Sequence, residues 1–186
     1  MKNTKVLRLL NTELLISATK VFLSFIFAGA SLIGVLISKK YKNRVEELKS
    51  FKEAYNILES KIKFTYEPLG DIFEEIADIY QNNNISSIFK NTSINMKKKD
   101  FRLAWNEAVE KNKQQLNLKK DDINIIKSLG NMLGKTDVQG QLSEINLNMN
   151  FLDTQIRLAE DEQYKNEKMY RTLGTIVGLA IIIILI

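Results

Sequence analysis

The chain has 186 residues and a formal net charge of +5 at pH 7, with eight Gly, one Pro, no Cys and no His. This length fits one domain, and the missing Cys and His exclude thiol nucleophiles, disulfides, imidazole bases, zinc fingers, and every haem or iron–sulfur site that needs these residues. The scarcity of Gly and Pro disfavours sandwiches and barrels with many tight turns, so the composition predicts an all-α fold.

The chain begins with an amphipathic segment followed by an apolar run. Over residues 1–20, Leu and Val alternate with Lys and Arg at helical spacing, which is typical of a helix lying on a membrane surface. Residues 21–38 contain no charged side chain and would extend about 27 Å as a helix, close to the thickness of a bilayer core. We therefore predict an N-terminal amphipathic tail over residues 1–20 and a first transmembrane helix over residues 21–38.

Basic residues follow the first run at the place where a cleaved signal peptide would need small residues: Lys39, Lys40, Lys42 and Arg44. They indicate a stop signal. Lys and Arg beside a span tend to remain on the cytoplasmic side. Because Lys165, Lys168 and Arg171 precede a second apolar run, we place residues 39–171 in the cytoplasm.

Residues 39–171 have the pattern of a helical bundle. An apolar stripe recurs at three- and four-residue steps through Tyr41, Val45, Leu48, Phe51, Tyr55, Leu58 and Ile62. Pro68 should end this helix, because proline disfavours helical geometry at the preceding Glu67 and suits a first helical turn. Four shorter apolar stripes predict further helices near Leu69, Ile85, Phe101 and Ile123.

A last helix is predicted to begin near Thr136. Gly134 suits the C-cap of the preceding helix, and Thr136 and Gln139 have the spacing of a capping box. The apolar residues of the last helix repeat in steps of four and three: Val138, Leu142, Ile145, Met149, Leu152, Ile156 and Ala159. Since the first and last helices carry matching seams and both lead to apolar runs, we expect them to pack antiparallel.

Residues 172–186 form the second apolar run. As a helix they would extend about 22 Å, which is short for a bilayer, but the segment is rich in Ile and Leu, and Lys168 and Arg171 can snorkel. We predict a second transmembrane helix over these residues. The alternative, two buried helices in a soluble core, is disfavoured because the polar middle offers too little apolar surface to cover both.

Neither nucleotide nor nucleic-acid binding is indicated. Gly130 and Gly134 are not followed by the Lys-Ser/Thr pair of a phosphate-binding loop. Residues 97–99 are three consecutive lysines, but basic and acidic residues nearly balance outside the tail, so we interpret this run as a solvated loop. We predict no cofactor and no nucleic-acid partner.

Carboxylate pairs could in principle carry acid–base chemistry or bind a hard cation. Glu74 with Glu75 has the pattern of a solvated helix face. Asp121 with Asp122 lies where a helix should begin, and the helix dipole favours carboxylates there. We therefore predict a protein that is not an enzyme and holds no metal.

Several strings together resemble the stage III sporulation protein AB family. They are Glu67-Pro68-Leu69, Ala104-Trp105, Leu133-Gly134 with Asp137 and Gln141, and the segment NEKMYRTLG over residues 166–174. The resemblance covers residues 20–186, and the NEKMYRTLG segment is its most specific part. The N-terminal tail departs from the family pattern, in which the chain begins almost at the first span.

The resemblance implies a protein of a bacterium that forms endospores, located in the mother-cell membrane that faces the forespore. It also implies membership of the channel complex that links the two compartments. The family is similar to the inner-membrane platform proteins of type II secretion and type IV pilus machines. The partners it implies are the lipid bilayer, the ATPase stage III sporulation protein AA, and other stage III sporulation channel proteins. Whether copies of the chain also form a homo-oligomer stays open.

Two hypotheses follow. In the first, the chain is a structural platform subunit that docks the ATPase and channel partners; in the second, it is a membrane-tethered adaptor that binds a soluble protein through its heptad faces. The candidate partner or structural contacts are Leu133, Gly134, Asp137, Gln141, Asn166, Glu167, Lys168 and Arg171. For the first four residues, which lie between Leu133 and Gln141, the alternative is a plain helix–helix turn. For the last four, between Asn166 and Arg171, the alternative is simple anchoring at the membrane interface.

Overall fold

The computed structural model describes residues 2–65, 67–81, 84–133 and 137–185. Some side chains of residues 2–34 and 171–185, and the side chain of Met132, are not described. In these ranges the chain forms α1 (Lys2–Phe64), α2 (Leu69–Ile79), α3 (Ser86–Met96), α4 (Phe101–Asn112), a 3-10 helix (Lys113–Gln115), α5 (Lys120–Met132) and α6 (Val138–Leu185). No strand occurs among the described residues, and the all-α prediction is confirmed.

The chain divides into two compact units. Unit 1 comprises Met1–Lys39 and Tyr164–Ile186, and unit 2 comprises Lys40–Gln163. The predicted spans, residues 21–38 and 172–186, belong to unit 1, and many of their side chains lie outside the described residues. Within the part of the chain that the structure describes, no helix combines the length and the hydropathy of a membrane span.

Within unit 2, α1 and α6 run antiparallel, as their seams predicted. Polar contacts of 2.7, 2.6 and 2.7 Å link the two helices: Lys49 with Glu160, Lys52 with Asp153, and Glu59 with Asn146. The partners' residue numbers rise along α1 while they fall along α6, which only an antiparallel pair can produce.

The predicted seams form the core between these two helices. Six seam side chains are completely buried: Leu48, Phe51, Tyr55, Leu58, Ile145 and Leu152. Burial of one such side chain contributes roughly 1.5–3 kcal/mol, so this seam is a major source of the stability of unit 2. Val138 is an exception, 50% exposed, because it stands at the first position of α6, where the bundle no longer covers it.

The short helices contribute an aromatic cluster centred on Trp105 of α4. The rings of Phe73, Phe89 and Tyr55 lie 5.7, 5.4 and 6.5 Å from the Trp105 ring, centroid to centroid. The indole Nε1 of Trp105 donates a hydrogen bond of 2.7 Å to the carbonyl oxygen of Ile126 in α5. The cluster thereby links α1, α2, α3, α4 and α5 around one fully buried side chain.

The ends of the helices are set by local chemistry. α1 ends at Phe64 and α2 begins immediately after Pro68, so the predicted break is confirmed. Asp100 caps α4 by accepting a 3.0 Å hydrogen bond from the Leu103 N–H. Gly134 and Thr136, predicted as cap residues of α5 and α6, lie outside the described residues.

We predict that Gly130→Ala destabilises unit 2 by about 1–3 kcal/mol, because a Cβ at this position would lie 2.9 Å from Cδ1 of the buried Trp105. Urea denaturation of the full chain, followed by circular dichroism, measures the change. Gly70→Ala is the matched control, since a Cβ there meets nothing within 4 Å. Equal unfolding free energies for both variants would mean that Trp105 can move aside without cost.

Candidate functional site

A buried ion cluster lies at the end of unit 2 where α1 enters and α6 leaves. Arg44 of α1 donates from Nε and Nη2 to the two carboxylate oxygens of Asp122 in the first turn of α5, at 2.8 and 3.0 Å. Its Nη1 donates to Oε2 of Glu162 in α6 at 2.8 Å. The side chains of Arg44 and Asp122 are only 4% and 0% exposed, so this pair is removed from water. The bidentate geometry is the strongest form of a guanidinium–carboxylate contact.

The charges of the cluster stabilise one another. Burial by itself disfavours the guanidinium cation, but hydrogen bonds and charges from Asp122 and Glu162 outweigh it and raise the pKa of Arg44. Lys119 adds a second cation, whose Nζ lies 2.6 and 2.7 Å from the carboxylate oxygens of Glu162. The cluster therefore joins α1, α5 and α6 through alternating charges.

Both central residues have a role that their local sequence does not indicate. Arg44 was counted with the cations beside the first span, but its side chain is buried and paired with carboxylates. Asp122 was explained by the helix dipole alone; it does accept a 2.8 Å hydrogen bond from the Lys119 N–H, but its main partner is Arg44. A signal for Arg44 was present, because it lies four residues before Leu48 and shares that face of the helix.

A second carboxylate, Glu47 of α1, is buried near the same end. Its Oε2 accepts a 2.7 Å hydrogen bond from the Asn117 N–H, and its Oε1 accepts from the side-chain amides of Asn117 and Asn84 at 3.0 and 3.3 Å. Burial raises the pKa of Glu47 more than these hydrogen bonds lower it. Asn84 therefore ties the turn between α2 and α3 to α1.

The predicted corner between α5 and α6 is explained by packing and capping. Leu133 is buried, and its N–H donates to the Leu129 carbonyl at 3.3 Å, which ends α5. Asp137 precedes α6 and accepts a 2.9 Å hydrogen bond from the Gly140 N–H, while the Gln141 N–H donates to the Asp137 carbonyl. A partner role for Leu133, Asp137 and Gln141 stays a prediction.

The other predicted contacts belong to α6 in unit 1. Asn166 and Glu167 are half-buried, and Lys168 is exposed. Lys168 accepts a 2.9 Å hydrogen bond at its carbonyl from the hydroxyl of Thr172, and both residues line an open hollow with Tyr164 and Glu167. The Arg171 side chain lies outside the described residues. The structure thus brings Glu167 and Lys168 to one hollow, and their role in binding stays a prediction.

The exposed charge clusters form surface ion pairs. Glu75 contacts Lys61 at 2.6 Å, and Lys99 of the lysine run contacts Glu107 at 2.7 Å. In the ranges that the structure describes, no group of three or more acidic residues is placed to hold a metal ion. The described arrangement connects helices to one another through buried charges.

Comparisons with known proteins agree on one family. The sequence profile of the family described as stage III sporulation protein AB matches residues 20–186. The chain is 29% identical over 163 residues to stage III sporulation protein AB of Bacillus subtilis (strain 168), a match covering 87% of this chain and 95% of that protein. A solved structure of a stage III sporulation protein AB is similar with a TM-score of 0.62 and 25% identity, over 66% of this chain and 98% of that one.

We predict that Asp122→Asn lowers the free energy of unfolding by about 3 kcal/mol, because it leaves the buried Arg44 cation without its bidentate, fully buried counter-charge. Denaturation in urea measures the loss. Asp121→Asn, at the exposed neighbouring position, is the matched control and should cost less than about 1 kcal/mol, the size of the helix-dipole contribution. Equal effects of the two substitutions would contradict a decisive role for the buried pair.

We predict that Glu47 makes stability depend on pH. Its pKa in the folded chain is above the ordinary value of 4.5, so between these two values the folded state retains a proton that the unfolded state has lost. Rising pH therefore favours unfolding across this window and has no further effect above the raised pKa.

Glu47→Gln removes this titration. The unfolding free energy of the variant minus that of the natural chain should increase as pH rises from 4.5 and then level off. Urea denaturation at a series of pH values measures the difference, and Glu74→Gln on the exposed face of α2 controls for loss of a carboxylate in general. A difference that falls with rising pH would refute the raised pKa.

Proposed function

The chain belongs to the stage III sporulation protein AB family, and we propose that it is a membrane-anchored platform subunit of the channel complex between mother cell and forespore. The observation that carries the proposal is the family match over residues 20–186, which includes both apolar runs as well as the bundle. The curated relative and the solved relative are both named as sporulation proteins.

The geometry of unit 2 supports a domain held on one side of a membrane. Arg44, near the beginning of the unit, contacts Glu162, near its end, so the chain enters and leaves the bundle at the same end. This arrangement suits a domain whose two ends both continue into spans of the same membrane. Lys39, Lys40 and Lys42 remain as exposed cations after Arg44 is assigned to the core, and they still favour a cytoplasmic bundle.

The docking role rests on rigidity. The ion cluster joins α1, α5 and α6, and the Trp105 cluster joins α1 to α5, so the helices of unit 2 are cross-linked at more than one level. A body held in this way can transmit a contact made on one surface to another, which is what a platform between an ATPase and channel proteins has to do. In this proposal the partners are the ATPase stage III sporulation protein AA and other stage III sporulation channel proteins, and the location is the mother-cell membrane facing the forespore.

One experiment tests anchoring and partners together. Membranes from sporulating cells are washed at alkaline pH, crosslinked and solubilised, and the products containing this chain are identified by mass spectrometry. We expect the chain to stay with the membrane pellet and to crosslink to the ATPase and to multispanning channel proteins. Release of the intact chain by the wash would refute the anchoring, and crosslinks only to a soluble client would favour the adaptor hypothesis.

A further inference from the structure

Helix α6 carries a second apolar stripe, on the face opposite its core seam. Leu147, Phe151 and Leu158 are 44%, 46% and 50% exposed, whereas the core seam on the other side of the helix is buried against the bundle. With the exposed Thr154 between them, these positions follow steps of four, three and four residues, the spacing of a helix–helix seam. We name Leu147, Phe151, Thr154 and Leu158 the outer stripe.

A carboxylate stands at each end of the outer stripe. Glu144 precedes Leu147 by one turn, and Asp161 follows Leu158 by one turn on the same face. Among the described residues neither carboxylate is in an ion pair, in contrast to the neighbouring Glu160, which contacts Lys49 at 2.7 Å. The two unpaired carboxylates lie about 25 Å apart along the helix axis.

This charge pattern disfavours a second copy of the chain as the occupant. If two copies paired antiparallel through the outer stripe, Glu144 of each would face Asp161 of the other. If they paired parallel, each carboxylate would face its own counterpart. Like charges opposite one another oppose association in both orientations, and they also repel the headgroups of anionic lipids.

We propose that the outer stripe is a docking site for an amphipathic helix of another protein that carries a basic residue beyond each end of its apolar stripe. The apolar side chains of such a helix would pack against Phe151 and Leu158, and its terminal cations would pair with Glu144 and Asp161. The carboxylates set the register and the partner, while the apolar contacts supply the buried area. The inference does not depend on membrane anchoring, because every residue involved lies in unit 2.

Two fluorescein-labelled helical peptides test the proposal by fluorescence anisotropy with the purified full chain in neutral phosphatidylcholine nanodiscs. Both carry Leu at steps of four, three and four residues; one has Lys at the two positions facing Glu144 and Asp161, and the other has Glu. We expect the lysine peptide to bind at least about fivefold more tightly at low salt. Equal binding of the two peptides would overturn the proposal.

Variants locate the site. The double variant Phe151→Asp with Leu158→Asp should weaken lysine-peptide binding about tenfold or more while retaining its helical content by circular dichroism. Leu103→Asp on α4 is the matched control, since Leu103 is 46% exposed, and it should leave binding unchanged. Unchanged binding to the double variant, or equal losses in the control, would place the peptide elsewhere and overturn the proposal.

A charge reversal distinguishes specific docking from nonspecific hydrophobic binding. The double variant Glu144→Lys with Asp161→Lys should prefer the glutamate peptide, because the attraction at both ends is inverted. A preference that stays unchanged would refute the role of the two carboxylates. A second copy of the chain is the other possible occupant of the outer stripe, and sedimentation of the natural chain and of the Phe151→Asp, Leu158→Asp variant tests it. A dimer of the natural chain that dissociates in the variant would show that a second copy covers the stripe, and it would overturn the proposal.

Discussion

The antiparallel pairing of α1 with α6 in unit 2 is the constraint on which the other features of the molecule depend. It buries the two apolar seams against each other and brings the first and last residues of the unit to one end of the bundle. The four short helices then need only cover the remaining apolar faces, and they do so around Trp105. A slip of α1 by a single turn would separate Arg44 from both of its carboxylate partners, so the ion cluster fixes the register in which the seams pack.

The buried ion cluster specifies the register of the helices more strictly than the apolar seams can. Leucine and isoleucine seams pack almost as well after a slip of one turn, because the side chains that meet are similar in volume. Arg44 with Asp122 has a single arrangement in which both carboxylate oxygens are satisfied, and every slipped arrangement leaves a charge buried without a partner. Lysine could not replace arginine here, since it lacks the planar fork that satisfies two oxygens. We therefore interpret the cluster as a device that selects one register.

The parts of this fold that could be predicted from sequence are those that depend on local periodicity. Leu48, Leu58 and Leu152 recur at helical spacing, so their burial was predictable, as was the break at Pro68. The pairing of Arg44 with Asp122 was not, because the two residues are 78 positions apart and each has an adequate local explanation, one as a basic flank and the other as a helix-start carboxylate. Likewise the need for Gly130 comes from the side chain of Trp105 on another helix. At the candidate site, the family resemblance indicated Leu133 and Asp137, and the structure gives them roles within the chain, Leu133 in the core and Asp137 as a helix cap. The surface that meets a partner could not be predicted, because the periodicity of one chain does not encode it.

The two faces of α6 explain how one helix can serve both the fold and an assembly. Its inner face is saturated by α1, so changes on the outer face leave the core intact. The outer stripe exposes only three large apolar residues. A stable pairwise complex usually buries about 20–30 residues on each side, so a helix docked here makes a small interface. A contact of this size binds weakly on its own, and it gains strength only when several subunits are held together so that further contacts become intramolecular. When several subunits are held together in this way, the apolar residues discriminate little between partners, because many helices could cover them. The choice of partner then depends on Glu144 and Asp161. The docking of a helix on this face should therefore weaken as ionic strength rises, in contrast to the buried Arg44 cluster, which salt screens much less.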